Sequence, residues 1–190
     1  MGCVLLLAAT SLAAQERTAP TLGLRGVGAL GVHAGYARVE RGVDAAEASA
    51  TLDLGHFSSP RVRLSAEVAF LRAFPHREFV VAEDTTYRDV FYDLSGHVDL
   101  HLLMADPRRV LVPYVGFGIG VHALTSSFGS TPVDLRYNTN VFGLKAATGF
   151  RLRLGGSHAV VAEGAANLSK SVSRASIRLG TEWLFGDLKR

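Results

Sequence analysis

Two histidines and an aspartate alternate in the stretch "HVDLH", and their chemistry is that of a metal site. His97, Asp99 and His101 share one face if the segment is a strand, with successive side chains about 7 Å apart. Two imidazoles and a carboxylate could bind a metal ion if a neighbouring strand supplied a further ligand. We favour the alternative, a polar network in which these groups pair with basic residues of other segments, and we predict no metal site.

A second set of residues has the types needed for nucleophilic catalysis. His56 and Ser58 stand two positions apart in "HFSS", and Glu67 is an acid further along the chain. A histidine, a serine and an acid form a catalytic triad only in a geometry that sequence does not reveal. We therefore predict no catalytic residues.

The segment "GVGALG", residues 26–31, has the glycine spacing of a dinucleotide-binding loop, with Asp53 as a possible acidic partner. That loop requires a preceding strand and a following helix, and neither pattern is present here. Glycines in a strand packed close to its neighbours explain the segment better. We expect no cofactor.

Composition limits the architecture that could position these residues. A chain of 190 residues is sufficient for one domain. It is 48% hydrophobic with 20 glycines, yet after its first residues no run reaches the roughly 18 apolar residues of a membrane-spanning helix. If the protein crosses a bilayer, it does so with strands. The net charge of +3 is small and the basic residues are dispersed, so no nucleic-acid partner is expected.

The first residues, "MGCVLLLAATSLAAQER", contain a short apolar run followed by small residues. This pattern is typical of an export signal, although the basic residues that usually precede the apolar run are missing. We assign residues 1–15 to a signal peptide and residues 16–190 to one β-barrel domain. Cys3, the only cysteine, lies in the signal segment, so no disulfide is expected.

The remainder of the chain alternates apolar and polar residues, as strands with two unlike faces do. In residues 89–103 this alternation is clearest, because a helix would scatter the polar groups around its surface. Eight strands are predicted in all. They span residues 21–38, 45–56, 60–73, 87–103, 109–123, 139–154, 157–168 and 172–185.

The predicted connections differ in length. Those after the second, fourth and sixth strands are short, whereas those after the first, third and fifth, including residues 124–139, are longer; "FVVA" in the third can continue a hairpin. The seventh connection, near "SKS", is short and departs from this trend. Short turns at one end and longer loops at the other are typical of outer-membrane barrels.

One face of the predicted strands gathers almost all of the charge. It carries Arg25, His33, Glu47, Asp53, Arg61, Arg63, Glu67, Asp93, His97, Asp99, His101, Lys145, Arg151, Arg153, Glu163, Arg174, Arg178 and Glu182. With histidine counted as neutral, eight basic groups face seven acidic ones, a near-balance that a closed interior requires.

The opposite face is apolar throughout, and alternation alone does not decide which face points inward. A soluble lipocalin-like barrel would place it inside around an apolar ligand, whereas a membrane barrel would turn it outward. We favour the membrane barrel because of the signal segment, the segregated loops and the small residues on the polar face. A charge-paired network in the lumen is then predicted. Its members are Glu67, Asp93, His97, Asp99, His101, Lys145, Arg151, Arg153, Glu163 and Arg178.

Two segments carry a family resemblance. "VLVPYVGFGIGVHAL", residues 110–124, and "GLKAATGFRLRL", residues 143–154, resemble the fifth and sixth strands of small outer-membrane barrels of the OmpA-like and OmpX-like kind. The resemblance implies an all-β fold, an eight-stranded antiparallel up-and-down transmembrane β-barrel in the cell outer membrane. It also implies contact with outer-membrane lipids, delivery by periplasmic chaperones, insertion by the outer-membrane assembly machinery and a monomeric state.

In that family the last strand carries an assembly signal that ends in an aromatic residue. The matching positions in "RLGTEWLF" are Arg178, Gly180, Trp183 and Phe185, and the five residues that follow depart from the usual pattern. Trp183 and Phe185 are also expected in the aromatic girdle at the periplasmic interface.

The function expected from these features is non-enzymatic. A lumen filled by paired charges would conduct little, and the barrel would serve envelope integrity or surface contact through its external loops. One alternative is an outer-membrane enzyme that modifies lipid A, as a deacylase or acyltransferase, using the triad-type residues above. Another is a soluble periplasmic barrel that binds an apolar ligand.

Overall fold

The computed structural model describes residues 26–40, 43–57, 59–74, 78–82, 85–130, 133–170, 173–185 and 188, with 78–82, 85–90, 127–130 and 133–137 described by their backbone alone. These described residues form nine strands: β1 Ala29–Val39, β2 Val43–His56, β3 Val62–Ala73, β4 Glu78–Ala82, β5 Thr85–Leu103, β6 Leu111–Ser130, β7 Val133–Arg153, β8 His158–Ser169 and β9 Arg174–Leu184. Among the described residues, no helix is long and apolar enough to span a membrane.

The strands close into an antiparallel barrel. Apart from β3 and β4, strands that are neighbours in sequence pair with each other, and two further pairings complete the cylinder: β1 with β9, and β3 with β5. The short β4 pairs only with the first residues of β5, so it prolongs the line of β3 after an interruption. The barrel wall therefore has eight strands, as the alternation predicts. All eight have 11 residues or more, enough for a tilted strand to cross a bilayer.

The two ends of the barrel differ in shape. At the terminal end, where β1 begins and β9 ends, the strands are joined by turns at residues 57–61, 104–110 and 154–157. At the opposite end, which we call the hairpin end, β5, β6 and β7 continue well past their neighbours. The β6–β7 ladder runs to Ser130 paired with Val133, although β7 leaves β8 at Gly143.

This ladder corrects the prediction of a long loop over residues 124–139, because most of that segment is strand. The connection after the first strand is also shorter than predicted, with β1 ending at Val39 and β2 beginning at Val43. The predicted hairpin continuation in "FVVA" corresponds to β4.

The apolar face points outward. Large side chains such as Phe117, Phe142, Ile177 and Leu179 are each at least 60% exposed, while the alternate positions of the same strands are buried. An apolar surface that surrounds the whole barrel is unfavourable in water and matches the hydrocarbon interior of a bilayer. The lipocalin-like alternative, which needs the apolar face inside, is therefore wrong.

Aromatic side chains mark both edges of this apolar exterior. Tyr36, Phe70 and Phe74 are exposed towards the hairpin end, and Trp183 and Phe185 are exposed at the terminal end. Aromatic residues of this kind favour the boundary between hydrocarbon and headgroups. The positions of Trp183 and Phe185 are those expected of one girdle.

Candidate functional site: the barrel lumen

Most of the charged side chains described in the barrel strands are buried in the lumen. The buried charged side chains, supplied by six of the eight wall strands, are Glu47, Asp53, Arg63, Glu67, Asp93, Asp99, Lys145, Arg151, Glu163, Arg174, Arg178 and Glu182. The inward positions of β6, which supplies none of them, include Gly116, Gly118 and Gly120. A Cβ at Gly118 would lie 1.8 Å from Oδ1 of Asp99, so the small residues of β6 leave room for side chains from the facing strands.

The centre of the lumen is built around Arg178 and Lys145. Arg178 donates to Glu67 at 2.8 and 3.0 Å and also to Glu163. Lys145 donates to Glu67 at 2.8 Å and to Asp99 at 2.6 Å, with Glu163 3.9 Å away. These five residues come from β3, β5, β7, β8 and β9, so the pairs link strands across the barrel.

Nearer the hairpin end, Asp93 is shared by two partners. Nδ1 of His122 lies 2.8 Å from Oδ2 of Asp93, and Arg174 donates to the same oxygen. Nε2 of His122 lies 3.3 Å from Nε2 of His97, and Nε of Arg174 lies 3.6 Å from Oε2 of Glu47. Two imidazoles therefore extend this polar cluster towards the centre.

Nearer the terminal end, two separate pairs fill the lumen. The guanidinium of Arg63 donates two hydrogen bonds to the carboxylate of Asp53, at 2.5 and 2.9 Å, and Arg151 donates to Glu182 at 2.5 Å. Asp53 also accepts a 2.9 Å bond from the backbone N–H of Gly55. Gly55 has a φ of 117°, a conformation that favours glycine, at a bulge in the β2–β3 ladder.

Two residues of the predicted network lie apart from these ion pairs. His101 is half-buried and stacks on Tyr114 with ring centroids 5.1 Å apart. Arg153 is half-buried at the end of β7, and no carboxylate among the described residues lies within ion-pair distance of it. In the same part of the chain, no three His, Cys, Asp or Glu side chains are arranged to hold a metal ion.

Apolar side chains cover the polar lumen at both ends. At the hairpin end the inward residues Ala37, Val39, Ala45, Leu71 and Ala73 form one cluster. Towards the terminal end there are two more clusters. They comprise Ala29, Ala159, Leu184 and Leu188, and Leu103, Val112, Tyr114 and Val161. The ion pairs thus lie between apolar layers.

Two residues that bond the lumen carboxylates are absent from the predicted network. His122 bonds Asp93, and the hydroxyl of Tyr114 donates to Glu163 at 2.7 Å. Both stand on β6 in phase with Gly116, Gly118 and Gly120, so the same alternation could have located them.

The charge balance also differs from the expected one. Of the eight basic residues assigned to the polar face, Arg61 is exposed in a turn, Arg153 is half-buried and Arg25 lies outside the described residues. Five buried basic groups therefore face seven buried acidic ones in the described lumen. Donors such as Tyr114 and His122 supply part of the hydrogen bonding to the additional carboxylates.

The residues considered for catalysis are separated. Glu67 lies in the central cluster and is bonded to Lys145 and Arg178, whereas His56 ends β2 with Nδ1 2.8 Å from the Phe57 carbonyl oxygen. Ser58 lies outside the described residues. The glycine-rich residues 26–31 lead into β1 rather than into a helix.

The four residues matched to the assembly signal lie along β9 and just beyond it. Arg178 is buried in the lumen, Gly180 is half-buried, and Trp183 and Phe185 are exposed to the exterior. The backbone N–H of Phe185 donates to the Gly28 carbonyl at 2.7 Å, which ties the chain past β9 to the segment before β1.

Comparison with known proteins gives a likeness in structure rather than in sequence. No family model matches the chain, and no curated protein matches it significantly. The crystal structure of Ail, the attachment invasion locus protein of Yersinia pestis, in complex with the heparin analogue sucrose octasulfate, matches with a TM-score of 0.53. The two are 14% identical, and the match covers 83% of this chain and 99% of Ail.

Two other outer-membrane proteins match similarly. Neisserial surface protein A has a TM-score of 0.56 and 16% identity, with 85% of this chain and all of that chain covered. The outer membrane enzyme PagL has a TM-score of 0.53 and 14% identity, with 80% and 97% covered. Because an enzyme is among these structures, the fold by itself does not decide catalysis. The chain has the fold of the small eight-stranded β-barrels of the cell outer membrane.

Proposed function

We propose that this chain is a non-enzymatic outer-membrane barrel that serves envelope integrity or surface contact. The observation that carries the proposal is the filled lumen, in which ion pairs between facing strands lie between apolar layers. An eight-stranded barrel has interior room for side chains and little else. Such a lumen supports a rigid membrane body better than it supports a channel or a ligand cavity.

In this proposal the terminal end faces the periplasm and the hairpin end faces outward. Residues 1–15 act as the export signal and residues 16–190 form the barrel. Periplasmic chaperones and the assembly machinery deliver it as a monomer, with Arg178, Gly180, Trp183 and Phe185 as the assembly signal. The apolar exterior, bounded by aromatic residues, supports direct contact with outer-membrane lipids.

Surface contact would use the ladder that β5, β6 and β7 extend beyond the barrel. Regular backbone pairing in this ladder begins at the Arg88–Gly129 pair between β5 and β6. Between β6 and β7 it begins at the Ser130–Val133 pair. A paired sheet offers a more ordered contact surface than a long irregular loop of the same length.

The enzymatic alternative is a barrel that modifies lipid A with His56, Ser58 and Glu67. Glu67 is an unfavourable member of a triad because its carboxylate is already bonded to Lys145 and Arg178 inside the lumen. No second function is therefore proposed.

The test compares host cells that lack the protein with cells that regain it. We expect the loss to increase sensitivity to detergent and to bulky antibiotics, with rescue by the wild-type chain and unchanged lipid A mass spectra. Lipid A that changes on expression, and reverts when His56 or Ser58 is replaced by alanine, would make the enzymatic alternative the correct one.

A further inference from the structure

A basic pocket lies between two turns at the terminal end. One turn joins β2 to β3 and the other joins β5 to β6. The pocket has a volume of about 470 Å³ and is lined by Arg61, Met104, Ala105, Asp106, Arg108 and Arg109. Three of these six residues are arginines, and all three are exposed.

Backbone hydrogen bonds hold the two turns together. The N–H of Leu103 donates to the Arg61 carbonyl at 2.8 Å, which joins the first turn to the strand that enters the second. Within the second turn, the N–H of Arg109 donates to the Asp106 carbonyl at 3.0 Å, and the N–H of Arg108 donates to the Asp106 carboxylate at 2.8 Å. The three arginines therefore project from a preformed backbone.

The charge of this pocket is not neutralised in the way the lumen charge is. Arg63, Arg151, Arg174 and Arg178 each contact a buried carboxylate. By contrast, no described carboxylate lies within 4.0 Å of the guanidinium groups of Arg61, Arg108 or Arg109. Asp106 is the one acidic residue of the lining, and one of its oxygens caps a backbone amide. The pocket thus presents guanidinium groups that can bind a phosphate through paired hydrogen bonds.

The apolar exterior borders the pocket directly. Met104, Val110 and Leu111 are 53%, 66% and 50% exposed and lie in or beside the second turn. A ligand that fits both surfaces carries a negative head next to an apolar chain. A lipid phosphate at the membrane boundary has this arrangement, with its acyl chains against the barrel wall.

We propose that Arg61, Arg108 and Arg109 bind the phosphate of an anionic phospholipid in the leaflet at the terminal end. This inference rests on the proposed function, because it requires the barrel to lie in a bilayer. It adds a specific lipid to a surface that otherwise has only general contact with the membrane.

The experiment uses the full chain refolded into bilayers of mixed phosphatidylcholine and phosphatidylglycerol, with retained lipids counted by native mass spectrometry. The test variant is R61Q/R108Q/R109Q. The matched control is R38Q/R72Q/K170Q, which removes three exposed basic groups towards the hairpin end. We expect wild type and control to retain phosphatidylglycerol preferentially, and each guanidinium removed from the pocket to lower that preference about fivefold.

Folding is scored separately by the shift in gel mobility on heating. If the wild type does not fold into bilayers, the proposed function fails; if it folds and all three proteins retain the two lipids equally, only the lipid site is overturned. Should the triple variant not fold, the single variant Arg108→Gln is compared with Arg38→Gln. Loss of the retained lipid on addition of inorganic phosphate, with no effect of sodium chloride at the same ionic strength, would assign the pocket to free phosphate and contradict the lipid assignment.

Discussion

At the scale of single residues, the loss of Lys145 should lower the stability strongly. Its ammonium is buried and donates to Glu67 and Asp99. In Lys145→Met these carboxylates lose their shared cation inside a closed lumen. Breaking a buried ion pair from one side typically costs about 3–5 kcal/mol, so we expect the free energy of unfolding to fall by that amount. Denaturant titration of the barrel refolded into vesicles measures it.

The control is the exposed pair of Arg38 and Asp44, whose charged atoms are 3.8 Å apart. Arg38→Gln should change the free energy of unfolding by less than about 1 kcal/mol, because solvent screens an exposed pair. Equal effects of Lys145→Met and Arg38→Gln would contradict the view that the lumen pairs are structural.

Gly180 gives a second prediction at this scale. A Cβ at this position would lie 2.4 Å from the Val32 carbonyl oxygen and 2.0 Å from Cδ2 of His33. The first of these atoms belongs to the backbone of a paired strand and cannot move easily. Gly180→Ala should therefore lower the free energy of unfolding by about 1–3 kcal/mol in vesicles, without any assembly machinery.

Gly96→Ala is the matched substitution, because a Cβ there meets nothing within 4 Å. It should raise the free energy of unfolding by about 0.5–1 kcal/mol, since alanine loses less backbone entropy than glycine in a strand. If both variants unfold like the wild type, the close approach of Gly180 to Val32 and His33 does not require a glycine.

Sequence predicted which residues face the lumen better than it predicted their partners. Period-two alternation assigns Lys145 and Asp99 to one face, but their contact depends on which strands meet across the barrel. His101 and Arg153 illustrate the limit, since one stacks on an aromatic ring and the other lies half-buried at a strand end.

At the scale of elements, the largest difference between sequence and structure is the strand extension at the hairpin end. Residues 124–139 carry no apolar alternation, and for that reason they were predicted to be a loop. Apolar and polar residues alternate along a strand when one of its faces is in an apolar environment and the other is in a polar one. Backbone pairing does not need such unlike faces, so the β6–β7 ladder can continue to Ser130 and Val133 without leaving that signal.

The extension should be dispensable for the barrel. We expect a chain in which residues 127–136 are replaced by Asn-Gly to fold into vesicles with the same heat-dependent gel shift. Ser126 and Tyr137 are paired in the ladder, so a two-residue turn can join them. Failure of this shortened chain to fold, with normal folding of the wild type, would show that the extension stabilises the wall.

The end of β9 allows an assembly role to be separated from a folding role. Phe185 is 40% exposed, and its bond to Gly28 uses only the backbone. In Phe185→Ala we expect folding into vesicles within about twofold of the wild-type rate, because the backbone hydrogen bond to Gly28 does not depend on the side chain. In cells we expect a reduced amount of folded barrel. Equal reduction in both settings would contradict a role in recognition by the assembly machinery.

At the scale of the whole molecule, the fold was predictable because a single pattern repeats around a closed wall. All eight predicted strands correspond to strands of the barrel, and residues 89–103, the clearest of them, lie within β5. Which face points inward needed further information, since a soluble barrel and a membrane barrel share the same alternation. The surrounding apolar exterior resolves this in favour of the membrane barrel.

The same exterior and the filled interior lead to one requirement for the intact protein: it should form a membrane body without a continuous water path. Ion pairs cross the lumen at several levels, and apolar clusters that include Leu71 and Leu184 lie towards its two ends. A substitution at one ion pair does not test whether the lumen is closed, because closure depends on all of the layers together.

Electrical recording across planar bilayers measures directly whether ions pass through the lumen. With the folded barrel inserted, and insertion verified by its heat-dependent gel shift, we expect baseline current with no more than brief leaks. A stable ohmic conductance that increases with the number of inserted barrels would contradict the closed, ion-paired lumen on which the proposed function rests.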